Sequence, residues 1–449
     1  MAKPKSAYQC NNCGHTQPRW AGQCPECGEW NTMVEIVVTS NKQQASSSKQ
    51  DVVTKLQKLS EVDVSQQAFS RLEVGSQELT QVLGGGIVKG SVILLAGEPG
   101  IGKSTILSQL TLYFAAKHGK VLYVCGEESV QQVKLRLERI SQLKKTTNIA
   151  KDNILLLPET NTDAIVHVMR QEKPLLTIID SIQTVTSEGL TGMAGSVGQV
   201  RESGNRIMKT AKSAGLSTFI VGHVTKGGSI AGPKVLEHMV DAVLALEGER
   251  SSNLRLLRAM KNRFGAVDEV GVFEMHDSGL SDVANPGSAF LEEIQSGQSG
   301  SVVTVLMEGT RPLLTEIQAL VTPSYIPTPR RVAEGIKKSR LDVICAVLQK
   351  HGKINLGESD VFVNAVGGIK AHEPAADLAI ALAIASSAKN KSLPAKTVAI
   401  GEVGLLGEIR KVSFLEKRIK EANKLGYSKV IPGQKDRTLV QAISILSKK

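Results

Sequence analysis

The sequence predicts an α/β protein of 449 residues with three units: an N-terminal cysteine module, a central domain built on a mostly parallel sheet, and a C-terminal α+β domain. Four cysteines lie within the first 27 residues. Short apolar runs then alternate with helical stretches from residue 73 to about residue 282, which predicts parallel strands covered by helices. A second set of strands and helices follows a turn-rich passage. We expect the cysteine module at 1–33, a linker at 34–64, and domains at 65–285 and 286–449.

The composition is that of a globular protein with a basic surface. Hydrophobic residues make up 41% and charged residues 22%, which is atypical of disordered chains. The 54 Lys and Arg residues against 43 Asp and Glu give a formal net charge of +11, which suits a polyanionic partner but also a merely soluble surface. With 3% aromatic residues, base stacking on many rings is disfavoured. Neither a signal peptide nor an apolar membrane span is evident, so we expect a cytoplasmic protein without membrane attachment.

The N-terminal unit has the cysteine spacing of a metal site. Cys10 and Cys13 form one C-x-x-C pair, and Cys24 and Cys27 form the second. Four thiolates suit tetrahedral Zn²⁺, and a module this small needs a metal to fold. An iron site or a redox dithiol is the alternative. The pattern predicts Zn²⁺ bound by all four cysteines.

The segment SVILLAGEPGIGKST predicts a phosphate-binding loop. It matches G-x-x-x-x-G-K-[ST] directly after an apolar strand and before a helix. Backbone N–H groups would surround the phosphates of ATP, Lys103 would reach the β- and γ-phosphates, and Ser104 would bind Mg²⁺. The candidate nucleotide-binding residues are consecutive: Gly97, Glu98, Pro99, Gly100, Ile101, Gly102, Lys103, Ser104 and Thr105.

Candidate catalytic carboxylates end two predicted strands. Asp180 ends the apolar run LLTIID, where an acid is unusual unless it orders Mg²⁺ through water; an acid satisfied by local hydrogen bonds is the alternative. Glu127 and Glu128 follow the strand KVLYVCG, and one of them is placed to polarise the attacking water. We favour Glu127.

The order of these motifs, followed by STFIVGHVTKGG, resembles the RecA-like ATPase core. The segments GEES, HVTKGG and KNRFG together resemble the bacterial RadA family, also called Sms, over essentially the whole chain, including a C-terminal domain similar to that of Lon protease. The resemblance implies a hexameric ring that hydrolyses ATP and drives branch migration or unwinding of DNA during homologous recombination and repair. Its implied partners are single-stranded and branched DNA and a recombinase, RecA.

The resemblance also implies roles at a subunit boundary. Because nucleotide lies between subunits in rings of RecA-like cores, Lys261 and Arg263 of the KNRFG motif would reach the γ-phosphate bound by a neighbour. On physical grounds alone, such a turn is more often a solvated loop. His223 is a candidate γ-phosphate sensor, and a neutral histidine bonded to backbone is the equal alternative.

Two glycine-rich stretches are candidate DNA-binding loops. Residues 225–234 carry Lys226 and Lys234, and residues 187–198 form the matching first loop. The alternative is that both stretches are flexible connectors without a role in DNA binding. A run of basic residues near the start of the C-terminal domain most often forms only a solvent-exposed face. Beside a DNA channel it supplies further candidate phosphate contacts: Arg330, Arg331, Lys337, Lys338 and Arg340.

The C-terminal domain is expected to lack protease chemistry. Ala375 stands where Lon protease has the nucleophilic serine of its P-S-A-G segment, and Glu416 stands where Lon has its lysine. Without a nucleophile no acyl-enzyme forms, so a structural or DNA-contacting domain is expected. An ATP-dependent protease and a nucleotide-switched scaffold or kinase with a KaiC-like core are the alternatives to a DNA motor.

Overall fold

The computed structural model describes residues 5–11, 15–38, 70–143, 150–223, 233–248, 253–267, 269–288, 291, 298–434 and 437–446. Among these residues, no helix combines the length and the hydropathy needed to cross a membrane.

The N-terminal module is a small antiparallel sheet. Its strands, in the order β2-β1-β3, are β1 (Lys5–Cys10), β2 (Thr16–Gln17) and β3 (Met33–Val38). The buried residues are Cys10, Cys24 and Met33, with Tyr8 and Cys27 packed against them. A core this small does not stabilise a fold by itself, which agrees with the expected need for a metal.

The central domain is built on a nine-stranded sheet in the order β14-β13-β12-β11-β6-β10-β9-β7-β8. A short hairpin, β4 (Arg71–Leu72) with β5 (Ile87–Val88), precedes it. The nine strands are β6 (Val92–Gly97), β7 (Val121–Cys125), β8 (Ile154–Leu157), β9 (Leu176–Asp180), β10 (Ser217–His223), β11 (Ala242–Glu247), β12 (Leu254–Asn262), β13 (Val270–His276) and β14 (Gly279–Asp282). The helices are α1 (Gln77–Val82), α2 (Lys103–Lys117), α3 (Val130–Leu143), α4 (Thr162–Glu172), α5 (Val197–Ala214) and α6 (Pro233–Glu237).

The six strands from β11 to β8 pair in parallel, and β12 to β14 add an antiparallel edge. Every residue of β6, β7 and β9 is buried, because helices cover both faces. On one face, Ile93 and Leu95 pack in the core that includes α2 and α3; on the other, Val92 and Leu94 pack with α4 and α5. The predicted mostly parallel sheet is confirmed.

The parallel register brings the predicted site residues to one edge. Gly97 at the end of β6 pairs with His223 at the end of β10, and Cys125 at the end of β7 pairs with Asp180 at the end of β9. The carboxyl ends of parallel strands are where α/β sheets bind their ligands.

The C-terminal domain contains a six-stranded mixed sheet in the order β17-β18-β16-β15-β19-β22 and a small hairpin of β20 with β21. Its strands are β15 (Ser301–Glu308), β16 (Arg311–Pro323), β17 (Arg331–Glu334), β18 (Ser359–Ala365), β19 (Thr397–Ile400), β20 (Glu402–Val403), β21 (Ile409–Arg410) and β22 (Lys429–Pro432). Its helices are α7 (Lys338–Lys350), α8 (Asp377–Lys389), α9 (Leu415–Lys424) and α10 (Leu439–Ile443). Helix α8 is buried from Asp377 to Ser386 and forms the centre of this core.

The turn between β15 and β16 contacts the central domain. Arg258 of β12 forms an ion pair with Glu308, and Arg311 forms one with Glu78 of α1 at 2.5 Å. These half-buried charged contacts tie the second sheet to the antiparallel edge of the first.

Candidate nucleotide site and zinc module

The loop between β6 and α2 has the geometry of a phosphate cradle. Gly100 and Gly102 adopt positive φ values of 79° and 116°, a region that glycine enters at little cost. A Cβ on Gly102 would lie 2.5 Å from Met275 Cε, and one on Gly97 would lie 2.7 Å from the Leu246 carbonyl oxygen. Packing against the backbone of β11 therefore requires glycine at position 97, whereas at position 102 the positive φ is the constraint, because the end of the Met275 side chain can shift. The loop leads into the N-terminus of α2, where free N–H groups favour an anion.

Arg255 of β12 holds the phosphate loop through a hydrogen bond that the sequence motif did not predict. Arg255 is 8% exposed, and its Nε donates a hydrogen bond to the Ile101 carbonyl oxygen at 3.1 Å. Burial lowers the pKa of Arg255 from its usual value. The loop is thus fixed by its neighbours and not by its own glycines alone.

Lys103 is buried at 4% exposure, and its partners are neutral groups. Its ammonium donates to the carbonyl oxygens of Gly97 and Glu98, both at 2.9 Å, and to His223 Nδ1 at 3.1 Å. Burial lowers the pKa of Lys103, and the nearby carboxylates of Asp180 and Glu127 oppose this effect. A buried cation with neutral partners suits an incoming anionic ligand such as a phosphate.

His223 connects the lysine to the first of the two candidate glutamates. Because Nδ1 accepts from the Lys103 ammonium, Nε2 carries the proton and donates to Glu127 Oε1 at 2.9 Å. The buried Ser181 hydroxyl donates to the same oxygen. These hydrogen bonds lower the pKa of Glu127, and the one from His223 has the largest effect.

Glu128 has a different environment from Glu127. Its carboxylate forms an ion pair with Arg136 of α3, whose side chain is 11% exposed. The structure therefore separates the two glutamates that sequence reasoning left side by side: Glu127 joins Lys103 and His223, and Glu128 joins α3.

Asp180, at the end of β9, is 6% exposed, and the charge of its carboxylate acts to raise the pKa of Lys103. Its Oδ2 accepts a hydrogen bond from the Tyr123 hydroxyl at 2.5 Å. Arg136 NH2 donates to that same hydroxyl at 3.1 Å. Burial and the Asp180 carboxylate raise the pKa of Tyr123 well above its usual value. Sequence reasoning missed Tyr123 and Arg136, although a tyrosine within the aliphatic strand KVLYVC was a signal for a buried hydroxyl.

Lys261 and Arg263 lie away from the phosphate loop of their own chain. Lys261 pairs with Val243, close to the start of β11, whereas Gly97 pairs with Leu246 near its end. The Lys261 ammonium donates to carbonyl oxygens that precede β11, including that of Val240 at 2.9 Å, and burial lowers its pKa. Arg263 forms a 3.2 Å ion pair with Asp241. Both side chains therefore lie at the edge of the sheet opposite the phosphate loop.

The KNRFG turn is packed against the fold. The Phe264 carbonyl oxygen accepts a 2.5 Å hydrogen bond from Arg71, and a Cβ on Gly265 would lie 3.1 Å from Gly84 Cα. Its backbone is therefore held in place, unlike that of an ordinary solvated loop.

The candidate DNA-contacting residues divide into two groups. Lys226 lies outside the described residues, and four others have exposed side chains: Lys234, Arg330, Lys337 and Lys338. Two others bond within the fold. Arg331 donates to the Leu356 carbonyl oxygen at 2.7 Å, and Arg340 forms a bidentate pair with buried Asp377.

The first candidate loop, residues 187–198, is anchored at one side chain. Buried Gln199 accepts a hydrogen bond from Ser187 N at 2.7 Å and donates to the Leu190 carbonyl oxygen at 3.0 Å. The loop tip leaves Met193 86% exposed. An anchored loop with an exposed tip is suited to contact a partner.

Three of the four predicted zinc ligands lie together, and Cys13 is outside the described residues. The Sγ atoms of Cys10, Cys24 and Cys27 are all within 4.8 Å of one another, and those of Cys10 and Cys27 are 3.7 Å apart. Tetrahedral zinc with Zn–S bonds of about 2.3 Å places its sulfurs about 3.8 Å apart. The thiolate set thus fits zinc.

The position that matches the Lon nucleophile is buried and bears no hydroxyl. Ala375 is 1% exposed, and Glu416 points to solvent on α9. Arg418 of α9 is 2% exposed and pairs with both oxygens of Glu373 at 2.6 and 2.8 Å, while the Glu373 side chain is 26% exposed. Sequence reasoning missed this ion pair.

Family models match three parts of the chain. They are the rubredoxin metal binding domain at residues 8–35, the AAA domain at 58–229, and subunit ChlI of Mg-chelatase at 331–436. The AAA match identifies an ATPase domain, and the first match agrees with the cysteine cluster. The predicted fold class, with a P-loop ATPase core between a zinc module and a Lon-like domain, is confirmed.

Close relatives cover nearly the whole chain. A DNA repair protein RadA from Bacillus subtilis is 46% identical over 434 residues, 96% of this chain and 93% of the relative. One from Pseudomonas aeruginosa is 49% identical with the same coverage. The solved KaiC-like protein from Pyrococcus horikoshii is 18% identical over 48% of this chain and 99% of its own, with a TM-score of 0.40, too low to support a conclusion. The sequence identity over almost the full length shows that this chain belongs to the RadA family of DNA repair proteins.

Proposed function

We propose that this chain is an ATP-driven motor that binds single-stranded and branched DNA and moves or unwinds the branches of recombination intermediates. It works as a homo-oligomeric ring, which we expect to be hexameric, in the cytoplasm and with a recombinase such as RecA. Membership in a family of DNA repair proteins supports a role in DNA repair, and the ATPase domain supports ATP as the source of energy.

The observation that carries this proposal is the position of His223. It contacts Lys103 of the phosphate loop on one side and Glu127 on the other. It also ends β10, two residues before the glycine-rich stretch 225–234, the candidate DNA loop. A single side chain therefore joins the nucleotide site to the segment expected to touch DNA.

The residues at this edge suit ATP and Mg²⁺. The backbone N–H groups of the loop between Gly97 and Thr105 and the Lys103 ammonium would hold the phosphates, while Ser104 and Asp180 would hold the ion, which would supply positive charge to the phosphates. Glu127, whose carboxylate is ionised at neutral pH, would orient the attacking water.

The same contacts support a signalling role for His223. When Lys103 turns from His223 Nδ1 to a phosphate, the imidazole loses its donor on that side. Its bond to Glu127 then depends on the nucleotide present, so the strand end that leads into residues 224–232 responds to ATP.

Lys261 and Arg263 act on a neighbour's nucleotide in this proposal. Their position at the opposite edge of the sheet from their own phosphate loop supports action in trans. A cation supplied by the next subunit would stabilise charge that develops on the γ-phosphate and would couple neighbouring sites around a ring.

DNA phosphates would be held by Lys226 and by four exposed cations, namely Lys234, Arg330, Lys337 and Lys338. Arg331 and Arg340 contribute less than the sequence suggested, because their guanidinium groups are already bonded within the domain. Contacts of this kind position DNA without reading its sequence.

Strand displacement from a synthetic three-stranded DNA junction tests the function. Wild type and Lys103→Ala are compared with ATP and with a non-hydrolysable analogue. We expect displacement only by wild type and only with ATP. Binding of the junction without displacement would contradict the motor and favour a nucleotide-switched scaffold, and ATP-dependent degradation of casein would favour a protease.

A further inference from the structure

Tyr123 carries a hydroxyl that the packing of β7 does not require. Its side chain is fully buried among aliphatic residues, where a phenylalanine would fill the same volume. A buried hydroxyl costs free energy unless it forms a hydrogen bond. Its bond is the one to Asp180 Oδ2 at 2.5 Å, so the hydroxyl serves the carboxylate at the end of the neighbouring strand.

Arg136 sets the direction of that hydrogen bond. Its NH2 donates to the Tyr123 oxygen at 3.1 Å. Because an arginine cannot accept a hydrogen bond, the hydroxyl proton must point elsewhere, and it points to Asp180. The guanidinium is itself held by its ion pair with Glu128. With Oδ2 fixed, the plane of the Asp180 carboxylate and the position of its second oxygen are fixed too.

The same guanidinium reaches the phosphate-loop helix. Arg136 Nε donates to Ser108 Oγ at 2.9 Å, and Ser108 Oγ donates to the Ser104 carbonyl oxygen at 2.6 Å. Ser108 is fully buried. One residue of α3 is therefore linked through Tyr123 to Asp180 and through Ser108 to Ser104.

We propose that Arg136, Tyr123 and Ser108 are positioning residues for magnesium, which set the spacing between Ser104 and Asp180. This inference rests on the proposed function, in which those two residues hold the ion bound with ATP. Groups that orient metal-binding side chains typically change metal affinity about tenfold or more when removed. Glu128 belongs to this assembly through Arg136, which gives the second glutamate a role distinct from that of Glu127.

Magnesium-dependent binding of ADP to the full-length protein tests the proposal. Binding of a fluorescent ADP is titrated with MgCl₂, and separately measured in EDTA, for wild type and Tyr123→Phe. We expect Tyr123→Phe to raise the half-saturating Mg²⁺ concentration about tenfold. Its affinity for ADP in EDTA and its melting temperature should remain close to those of wild type, because the ring still fills its site.

Two further variants sharpen the test. Ser108→Ala removes both the bond from Arg136 Nε and the bond to the Ser104 carbonyl oxygen, and should shift the Mg²⁺ requirement in the same direction by about threefold or more. Tyr113→Phe is the matched control, since the Tyr113 hydroxyl bonds to Glu73 at the surface at 3.2 Å. It should leave the titration unchanged.

An unchanged Mg²⁺ requirement in Tyr123→Phe would overturn the proposal. A parallel loss of magnesium-free ADP affinity and of melting temperature would overturn it as well, since that result means a purely structural role. A wild type that binds ADP with magnesium but moves no DNA would contradict the motor function alone, and the titration would still decide this inference.

Discussion

Two buried cations in this chain have opposite kinds of partner. Lys103, at the edge of the central sheet, is held by two carbonyl oxygens and an imidazole nitrogen, all neutral. Arg418, in the C-terminal domain, is held by both oxygens of the Glu373 carboxylate. A cation with neutral partners can exchange them for an anionic ligand, whereas a cation paired with a carboxylate is already neutralised.

Lys103 therefore belongs to a site that can accept an anionic ligand, whereas Arg418 has a structural role in the C-terminal domain. The C-terminal domain resembles a protease domain, and at the position where the resemblance expects the nucleophile it has the buried Ala375, with the Arg418–Glu373 ion pair on neighbouring elements. In the proposed function, Lys103 of the central domain exchanges its neutral partners for phosphate. The following predictions test this contrast, beginning with the largest effect.

Removal of the ligand-ready cation should abolish turnover while the fold survives. In Lys103→Ala we expect ATP hydrolysis to fall by about a thousandfold or more, because transition-state charge on the phosphates loses its principal cation. Phosphate release measures the loss, and thermal melting measures the fold. Residual hydrolysis near the wild-type rate would show that Lys103 does not touch the phosphates.

Removal of the structural cation should have the reverse effect. Arg418→Met removes the hydrogen bonds of a fully buried guanidinium to Glu373 and to the Val305 carbonyl oxygen, and should lower the free energy of unfolding by about 1–3 kcal/mol, with ATP hydrolysis per folded molecule unchanged. Urea denaturation and phosphate release test the two halves. Arg410→Met is the control, because Arg410 pairs with Glu408 at the exposed surface; equal destabilisation by both variants would contradict the distinction.

The two adjacent glutamates provide a finer comparison within the nucleotide site. We expect Glu127→Gln to lower hydrolysis about a hundredfold with nucleotide binding intact, since it removes the carboxylate that orients water. Glu128→Gln should act more weakly and through the magnesium requirement. Single-turnover hydrolysis and Mg²⁺ titrations separate the effects, and equal losses in both would remove the assignment of Glu127.

A substitution of Lys261, at the edge of the sheet opposite the phosphate loop, should affect coupling between subunits and leave nucleotide binding intact. Lys261→Ala is expected to reduce DNA strand displacement about tenfold or more, while ADP affinity stays within about twofold, because the proposed function has this residue act on a neighbour's nucleotide. Mixing Lys261→Ala with Lys103→Ala subunits should restore part of the hydrolysis, since each supplies what the other lacks. Normal displacement by Lys261→Ala would contradict action in trans.

The zinc module should show the smallest effect on the nucleotide site. Cys27→Ser removes one of the clustered thiolates and should release zinc, measured by atomic absorption, with little change in ATP affinity. Cys345→Ser is the control, since Cys345 is a buried thiol in the C-terminal core, where burial raises its pKa to about 11. Zinc loss from both variants, or from neither, would refute the ligand assignment.

The sequence predicted the fold class and the family, and both are confirmed. The alternation of apolar strands and helices determines a parallel sheet, and strand-end motifs place Gly97, Asp180 and His223 at one edge because parallel strands share an orientation. The domain limits and the roles of individual site residues remain predictions. The basic run at 330–340 was read too simply, since Arg340 is bonded to Asp377, 37 residues away.

The amino-acid sequence by itself determined the phosphate loop and the paired cysteines, because their chemistry depends on residues a few positions apart whose backbone geometry is local. Only the tertiary structure decided which charges remain available. It joined Tyr123 to Asp180, Arg418 to Glu373, and Lys103 to His223 across 57, 45 and 120 positions of the chain. Buried polar groups must find partners, and the partners come from whichever elements the packing of the core brings alongside them.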